Sequence, residues 1–450
     1  LYEERVAERL EYVFDRLDRE FDFTIDEYIE LDRSDFPWAT TKQELEEIWR
    51  KRLKHEALNL KLAGKDWEGT KETLKKRYKR VKKNIAQYQS EDVFQLLMNS
   101  LSESFDPHTN YFSPKRFDNF RIHMSQSLEG IGARLTTENE YTKVVEIVPG
   151  GPAAKSNQLH PNDRILGVGQ GEDSEIVDVV GWRIDDVVQL IRGKKGTLVR
   201  LQLLRAGESI GATTDTIALV RDKIKLEDQS AQSDTIQIDH QGRRMTFGII
   251  DIPAFYSDYE AKRAGDKDYK STTKDVERLV RKLIEMNVDG IVIDLRHNGG
   301  GFLDEAVNLT GLFIEKGPVV QVRDSRGRLN VERDYDSKII YKGPLAIVVD
   351  RLSASASEIF AAAIQDYNRG VVIGGQSFGK GTVQNAIDLN RFVKGSSNEL
   401  GQLKLTVAKF YRVDGGSTQH TGVIPDISFP SRYSLMDIGE SATENALLWD

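Results

Sequence analysis

Two short segments in the second half of the chain carry the residue types needed for nucleophilic catalysis. The first is Ser353-Ala354-Ser355-Ala356-Ser357-Glu358, and the second, Gly374 to Thr382, contains Ser377 and Lys380. Ser355 lies where a helix is predicted to begin, so backbone N–H groups and the helix dipole could stabilise an oxyanion beside it. The spacing Ser355-x-x-Glu358 is also that of a capping box, which many helices use only to begin. Ser355 is therefore a candidate nucleophile that needs a base.

A lysine could supply that base. The seven histidines (55, 108, 123, 160, 240, 297 and 420) are scattered, and only His297 lies beside a candidate site loop. Lysine can accept a proton when burial or a cationic neighbour lowers its pKa towards neutrality. Lys380 lies in a Gly-rich loop after the next predicted strand, from which it could reach the end of the preceding strand. The chemistry permits a Ser355–Lys380 dyad without selecting it.

The segment around Ser377 also fits three other signatures. It approaches a phosphate loop, but Gly381 stands where Ser or Thr should bind magnesium. Ser377 and Lys380 form S-x-x-K, which needs a helical turn that the flanking glycines oppose. Ser377 also lies in G-x-S-x-G, the nucleophile elbow of the α/β-hydrolases, with Asp414 and His420 available downstream, although no helix is predicted directly after it. An esterase that uses Ser377 remains an alternative.

The elements that would position these residues alternate between strand and helix after Phe247. Continuous apolar runs predict buried strands at Gly290–Leu295 and Leu345–Asp350, followed by helices at Leu303–Phe313 and Ala356–Tyr367. Further strands of the same sheet are predicted at Val371–Ile373 and Leu403–Tyr411. This alternation predicts an α/β sheet with ligand sites at the carboxyl ends of its strands. The Gly299–Gly301 loop and Ser355 both lie there.

The rest of the chain divides into two regions of different pattern. Residues 1 to about 120 are predicted to be helical, with amphipathic periods over Leu45–Leu62 and Glu91–Leu101. From about 127 the pattern changes to short strands with one helix at Ile184–Ile191. At 450 residues the chain is long enough for two or three domains.

Composition narrows the classes of ligand. A formal net charge of −8 argues against nucleic acid as a partner, and the absence of cysteine excludes disulfides and thiolate ligands. No run approaches the ~18 apolar residues of a transmembrane segment. No cluster has convincing metal-ligand spacing, so no metal, nucleotide or other cofactor is expected. The first residues lack the layout of a signal peptide, and we expect a mature form.

Several motifs together resemble those of one enzyme family. The Ser353–Ile359 and Phe378–Gln384 segments stand 25 residues apart when counted from Ser355 to Lys380. Three further blocks accompany them: Asp106-Pro107-His108-Thr109-Asn110-Tyr111, Arg296-His297-Asn298-Gly299-Gly300-Gly301 and Gly422-Val423-Ile424-Pro425-Asp426. This set resembles the bacterial periplasmic tail-specific, or C-terminal processing, proteases, which are S41-type serine peptidases with a PDZ domain. The resemblance spans nearly the whole chain.

The resemblance implies roles for individual residues. Ser355 would be the nucleophile, Lys380 the general base, Gln384 the residue that orients the lysine and Asp366 a member of a charge relay. Backbone N–H groups of the Gly299–Gly301 loop, notably of Gly300, and of Ala356 would form the oxyanion hole. An unbroken helix from residue 355 would place Asp366 about 16 Å along the axis, which favours a structural role for it. Gln384 would lie ~13 Å from Lys380 along a straight strand, so contact requires a bend near Gly381.

The β-rich region over 127–210, called the PDZ module below, resembles a PDZ domain. Its carboxylate-binding loop would be Gly130-Ile131-Gly132-Ala133, and Ile184, Val187 and Val188 would line the pocket for an apolar C-terminal residue. The incoming peptide would add to the module as a strand.

The resemblance also predicts the domain order and the setting. We expect a helical domain over 1–120, the PDZ module, a crotonase- and Clp-like α/β catalytic domain over 211–430, and the start of a C-terminal extension over 431–450. Substrates would be proteins with apolar C-termini in the periplasm, with a helical-repeat lipoprotein as a potential adaptor. A non-catalytic PDZ scaffold or apolar-ligand carrier on the same fold is the other alternative.

Overall fold

The computed structural model describes residues 1–33, 36–208, 212–393 and 399–449. The chain divides into two compact units, Leu1–Phe94 and Gln95–Asp450. The helices are α1 (Tyr2–Arg16), α2 (Lys42–Leu62), α3 (Trp67–Ala86), α4 (Ser90–Glu103), α5 (Pro114–Ser125), α6 (Pro152–Ser156), α7 (Ile184–Ile191), α8 (Tyr259–Arg263), α9 (Thr272–Glu285), α10 (Leu303–Gly311) and α11 (Ala356–Asp366).

The strands fall into four sheets. Their bounds are β1 (Asn110–Phe112), β2 (Ser127–Gly130), β3 (Ala133–Glu138), β4 (Tyr141–Ile147), β5 (Arg164–Gln170), β6 (Val177–Asp178), β7 (Leu198–Leu204), β8 (Asp215–Val220), β9 (Asp222–Lys225), β10 (Gln232–His240), β11 (Arg243–Asp251), β12 (Gly290–Asp294), β13 (Gly317–Asp324), β14 (Leu329–Asp334), β15 (Leu345–Val349), β16 (Val371–Gly374), β17 (Thr382–Asp388), β18 (Gln402–Tyr411) and β19 (Ile427–Ser428).

The first unit is helical, as its amphipathic periods predict. Polar N-caps begin two of its helices: Thr41 accepts from Glu44 N at the start of α2, and Asp66 accepts from Gly69 N at the start of α3. The core of this unit consists of apolar side chains at helical spacing: Leu10, Val13, Leu17, Phe21, Leu53, Ala57, Leu60, Leu74 and Tyr78.

The PDZ module is a separate sheet in the order β3-β4-β5-β7-β8, with β6 paired to β5. The predicted helix at Ile184–Ile191 is confirmed as α7. Strand β8 extends the sheet to Val220, so a boundary at residue 210 cuts the sheet before its last strand. A two-stranded ribbon of β2 and β9 joins the module to the rest of the chain.

The predicted α/β sheet is present in the order β10-β11-β12-β15-β16-β19, and all its pairs except β10–β11 are parallel. This sheet, its flanking helices and the second sheet described next are together called the platform. The assignment of Leu403–Tyr411 to this sheet is wrong. This segment is β18, which pairs antiparallel with β1, β13 and β17 in a second sheet. Most of its side chains are half-buried, which suits a strand outside the fully covered parallel sheet.

Two chain segments belong to the platform although their position in the sequence suggested otherwise. Residues 95–120, predicted as part of a helical domain, include β1, which pairs with β18 through Asn110 and Lys404. Residues 431–449, predicted as the start of an extension and called the C-terminal segment below, return to the platform, where Glu440 N donates to Phe378 O over 3.0 Å.

Candidate active site

Ser355 lies on a strained turn between β15 and α11. Its φ of +57° and ψ of −113° are rarely adopted by a non-glycine residue, and such conformations cost of order 1–3 kcal/mol. The residues on either side, Ala354 and Ala356, are buried, whereas Ser355 lines a cleft of about 810 Å³. The turn therefore presents one hydroxyl to the cleft at the N-terminus of a helix.

The glycine loop after β12 is bonded directly to this turn. Asn298 O accepts hydrogen bonds from Ala354 N (3.0 Å) and Ser357 Oγ (2.9 Å), and Asn298 Nδ2 donates to Ile252 O (2.7 Å). Gly300 has a φ of +101°, and a Cβ atom there would lie 2.8 Å from Ser355 Cβ. Only glycine can occupy that position without moving the Ser355 turn.

The expected oxyanion donors differ in availability. Ala356 N–H and Gly299 N–H have no hydrogen-bond acceptor among the described residues. Gly300 N–H donates to Asn298 Oδ1 over 2.9 Å, so in this conformation it is already engaged. The oxyanion role of Ala356 stays a prediction, and its N–H is available for it. The oxyanion role of Gly300 would require its N–H to leave Asn298 Oδ1.

Lys380 lines the same cleft as Ser355. Its Nζ donates to Gln384 Oε1 (2.6 Å) and to Thr382 O (3.2 Å), and no hydrogen bond joins it to Ser355 Oγ in the described structure. Desolvation and, after it, the positive charge of Lys404 lower the pKa of Lys380 to about 8, against the carboxylates of Glu440, Glu358 and Asp106, which raise it.

The two acceptors around Lys380 Nζ suit a neutral amine. A neutral lysine amine has two N–H groups and one lone pair, whereas the ammonium has three donors. When Gln384 Oε1 and Thr382 O take both N–H groups, the lone pair is left for a third direction within the cleft. In its neutral form Lys380 could therefore accept a proton while it keeps both hydrogen bonds.

Lys380 and Gln384 are in contact, but the irregularity that accompanies the contact lies at Val383–Gln384 rather than near Gly381. The register of β17 against β18 shifts between Val383 and Gln384, and this β-bulge accompanies the direct contact of the two side chains. Gln384 Nε2 donates to the hydroxyls of Thr382 and Thr406, each over 2.9 Å. Thr406 Oγ1 in turn donates to the buried Asp106 carboxylate. A chain of hydrogen bonds thus links Lys380 through Gln384 and Thr406 to Asp106, in the Asp106–Tyr111 block.

Glu358 does more than cap α11. Its buried carboxylate accepts from Ser355 N (2.7 Å) and Lys380 N (3.0 Å) through Oε2, and from Ser377 Oγ (2.6 Å) and Gly379 N (2.7 Å) through Oε1. Desolvation raises the pKa of Glu358 to about 7, against the four hydrogen bonds, which favour the ionised form. One buried carboxylate therefore holds the backbone of both the proposed nucleophile and the proposed base. The capping spacing was visible in the sequence, but the contacts with residues 377–380 were not.

Asp366 lies outside the cleft, as the length of α11 suggested. Helix α11 is unbroken from Ala356 to Asp366, and the Asp366 carboxylate forms an ion pair with Arg412, whose Nε donates over 3.1 Å. A charge-relay role for Asp366 has no geometric support, because Asp366 lies at the end of α11 away from Ser355 and is paired there with Arg412.

Ser377 cannot serve as the nucleophile of an esterase in this structure. It is fully buried, its hydroxyl donates to Glu358, and it accepts from Val423 N over 2.6 Å. His420 Nε2 contacts Leu447 O over 2.9 Å rather than this serine. Ser377 anchors the loop that carries Lys380, and the esterase alternative is contradicted.

The expected peptide groove of the PDZ module is open at its edge. β3 is an edge strand, since within the module it pairs only with β4, and α7 packs beside it. Gly132 has a φ of +77°, and a Cβ there would lie 3.2 Å from Gly151 Cα. Ile184 and Val188 are half-buried on one face of α7, in keeping with a role in the groove. Val187 is fully buried in the module core, so its assignment to the pocket is wrong.

A second cavity of about 680 Å³ lies between the PDZ module and the platform. It is lined by module residues such as Leu128 and Gln189 and by platform residues such as Asp258. This cavity and the cleft lined by Ser355 share the following wall residues: Phe120, Met124, Tyr259, Phe302 and Ala386. The module therefore adjoins the cleft that contains Ser355.

Two negative observations apply to the described residues only. No group of three or more His, Cys, Asp or Glu side chains in them is arranged to hold a metal ion. No helix in them is both long and apolar enough to cross a membrane.

A helical region, a PDZ module and an α/β platform with a serine and a lysine in one cleft define a PDZ-containing member of the serine peptidases. Residues 246–429 match the model of peptidase family S41, residues 1–115 that of the tail-specific protease N-terminal domain, and residues 119–204 that of the PDZ domain. The chain belongs to peptidase family S41, with the tail-specific and carboxy-terminal-processing proteases.

Two sequence relatives support this membership, and one solved structure resembles part of the chain. A tail-specific protease of Haemophilus influenzae is 43% identical over 446 residues, which are 99% of this chain and 61% of that protein. A carboxy-terminal-processing protease of Bartonella bacilliformis is 32% identical over 76% of this chain and 72% of its own length. A solved structure of the PDZ domain of a carboxy-terminal protease from Vibrio cholerae, in complex with a peptide, is 55% identical and has a TM-score of 0.21. It covers 22% of this chain and 99% of that chain.

Proposed function

We propose that this chain is a serine endopeptidase that captures free apolar C-termini through its PDZ module and cleaves with a Ser355–Lys380 dyad. The observation that carries the proposal is the cleft, where the strained Ser355 turn and a lysine of lowered pKa lie together. Membership of the S41 family supports the same reaction. A non-catalytic scaffold would have no use for a desolvated lysine held beside a strained serine.

In the acylation step Lys380 accepts the Ser355 hydroxyl proton while Oγ bonds to the substrate carbonyl carbon. The carbonyl oxygen becomes an oxyanion, to which Ala356 N–H, a donor with no acceptor among the described residues, can donate. The intermediate collapses when the carbon–nitrogen bond breaks and the Lys380 ammonium protonates the leaving amine. An acyl-enzyme and a peptide with a new N-terminus result.

Deacylation uses the same two groups in reverse. Lys380, again neutral, takes a proton from water, whose oxygen adds to the ester carbon. The tetrahedral intermediate expels Ser355 Oγ, which recovers its proton from Lys380. Gln384 keeps the lysine in place through both steps, because its oxygen accepts from Nζ and its amide group is itself held by two threonine hydroxyls.

The PDZ module would deliver the substrate. Backbone N–H groups of the Gly130–Ala133 loop would bind the terminal carboxylate, while Ile184 and Val188 contact apolar side chains of a tail added along β3. The cavity that shares its wall with the catalytic cleft offers a path from the module to Ser355. A periplasmic location and a lipoprotein adaptor complete the proposal, and these rest on the family resemblance alone.

Peptidase assays with an unfolded protein test the proposal. Ser355→Ala should abolish cleavage, and an activated phosphonate should label Ser355 in the wild type but not in this variant. Ser325→Ala, a change at an exposed serine of the β13–β14 turn, is the matched control. A Ser355→Ala variant that still cleaves, or a wild type that neither cleaves nor is labelled, refutes the proposal.

A further inference from the structure

The C-terminal segment lies against the loop that carries Lys380, beyond the part of the chain that matches the peptidase family. Its residue Glu440 is fully buried. Burial of a carboxylate is costly unless other groups satisfy it, so the groups around Glu440 indicate what the burial maintains.

Glu440 is linked by hydrogen bonds to the backbone on both sides of Lys380, directly on one side and through Gln419 on the other. Its N–H donates to Phe378 O (3.0 Å), two residues before the lysine. Its Oε1 accepts from Gln419 Nε2 (3.0 Å), and Gln419 Oε1 accepts from Gly381 N (2.7 Å), the residue directly after the lysine. Its Oε2 lies 2.8 Å from His108 Nε2, in the block that also holds Asp106.

We propose that Glu440 is a positioning residue for the general base, and that the C-terminal segment is thereby part of the active site. The proposal rests on the function proposed above. Phe378 and Gly381 flank Lys380, so bonds to both restrict the path of the backbone that carries the amine. His108 and Gln419 join that restraint to two other parts of the platform.

The charge of Glu440 gives this role a second signature. The charged groups that face Lys380 are Lys404 from β18, Glu358 from α11, Asp106 from the loop before β1, and Glu440. Of these, Lys404 lowers the pKa of Lys380 and the three carboxylates raise it. Loss of the Glu440 charge should therefore lower the pKa of the base and move the acidic limb of activity to lower pH.

The experiment compares Glu440→Gln and Glu440→Ala with the wild type and with Glu444→Gln, a change at an exposed carboxylate of the same segment. Glu440→Gln keeps the shape and removes the charge, whereas Glu440→Ala also removes the side-chain contacts with Gln419 and His108 and keeps only the backbone bond to Phe378 O. We measure kcat, KM, Tm and the pH profile of kcat/KM. A displacement of the amine by 1 Å can cost about 100-fold in rate, so kcat of Glu440→Ala should fall by up to that factor with little change in KM. The acidic limb of Glu440→Gln should move to lower pH, and Glu444→Gln should match the wild type.

Two results overturn the inference while the proposed function stands. One is Ser355-dependent cleavage with unchanged kcat and pH profile in both Glu440 variants. The other is a lower Tm and reduced rate with an unmoved acidic limb in Glu440→Gln, which would make Glu440 a structural anchor only. If Glu440→Ala does not fold, Glu440→Gln alone decides. Cleavage that is independent of Ser355 would instead refute the proposed function.

Discussion

Replacement of Glu358 by glutamine should separate stability from activity. The carboxylate accepts four hydrogen bonds, two through each oxygen, from the backbone or side chains of residues 355, 377, 379 and 380. A glutamine offers one acceptor oxygen and one NH2 group. If the glutamine oxygen keeps the hydrogen bonds from Ser355 N and Lys380 N, the NH2 group faces Gly379 N. The buried Gly379 N–H then has no acceptor, at a cost of about 1–3 kcal/mol.

The lost buried charge offsets this cost. A pKa raised from 4.5 to about 7 means that the ionised carboxylate costs of order 3 kcal/mol relative to its ionisation in water. The folded state therefore holds its proton more tightly than the unfolded state, and wild-type stability falls as pH rises between 4.5 and about 7. Glu358→Gln has no such loss, so its Tm relative to the wild type should rise across this window. Above it, the two should agree in stability within about 2 kcal/mol.

Activity should behave differently. Glutamine in that orientation cannot accept from Gly379 N, so the loop that carries Lys380 should shift, and Glu358→Gln should lower kcat by up to about 100-fold through misplacement of the base. Glu358→Asp keeps the charge but is one methylene shorter, and it should also be slow, whereas the exposed Glu285→Gln change should be silent. Thermal unfolding from pH 4.5 to 9 and single-turnover kinetics provide the two measurements. Wild-type kcat in Glu358→Gln, or a Tm difference that does not vary with pH, would refute the reasoning.

The remaining predictions concern the base, the rejected residues and the PDZ module. Lys380→Arg should be inactive, because guanidinium does not release its proton, and wild-type kcat/KM should be lost as pH falls through about 8; near-normal cleavage by the variant would exclude the dyad. Asp366→Asn should lose about 1.5–3 kcal/mol of unfolding free energy with unchanged kcat, as checked by denaturation and assay; normal stability with lost turnover would restore its catalytic role. Ser377→Ala should keep substantial activity at permissive temperature, and an inactive, folded variant would contradict its role as an anchor. Amidation of a substrate's C-terminus should raise KM and lower the rate at saturation, and Gly132→Asp should mimic it; equal maximal rates would make the module a tether only.

Local patterns in the sequence were sufficient for most elements. The apolar runs at Gly290–Asp294 and Leu345–Val349 and the periodicity of α7 depend on neighbouring residues, and these predictions are confirmed. The sheet to which Leu403–Tyr411 belongs was not predictable in this way. Its partners β1, β13 and β17 are set by distant residues, and strand propensity contains no information about pairing partners.

The candidate site also combines residues that local patterns identify with contacts that they do not. Ser355 and Lys380 were candidates from their residue types and spacing, and the resemblance supplied their roles. The contacts of Glu358 with the lysine loop, of Thr406 with Asp106 and of Glu440 with His108 join residues far apart in the chain, and no local spacing reveals them. Val187 illustrates a finer limit. Helical periodicity places residues 184, 187, 188 and 191 on one side of α7, but it does not say which of them meet the core and which the groove.

The β2–β9 ribbon has a consequence for how the chain can be rebuilt. Gly130 pairs with Asp222, so the PDZ module leaves and re-enters the platform at adjacent points, with Cα atoms of such pairs about 5 Å apart. For the platform, residues 131–221 are equivalent to one long hairpin loop. The entropic cost of closing a loop grows only with the logarithm of its length. A short turn could replace them, and so could another peptide-binding domain whose termini lie side by side. The PDZ module is thus interchangeable in principle, and the platform can take a different inserted domain without a new path for its own chain.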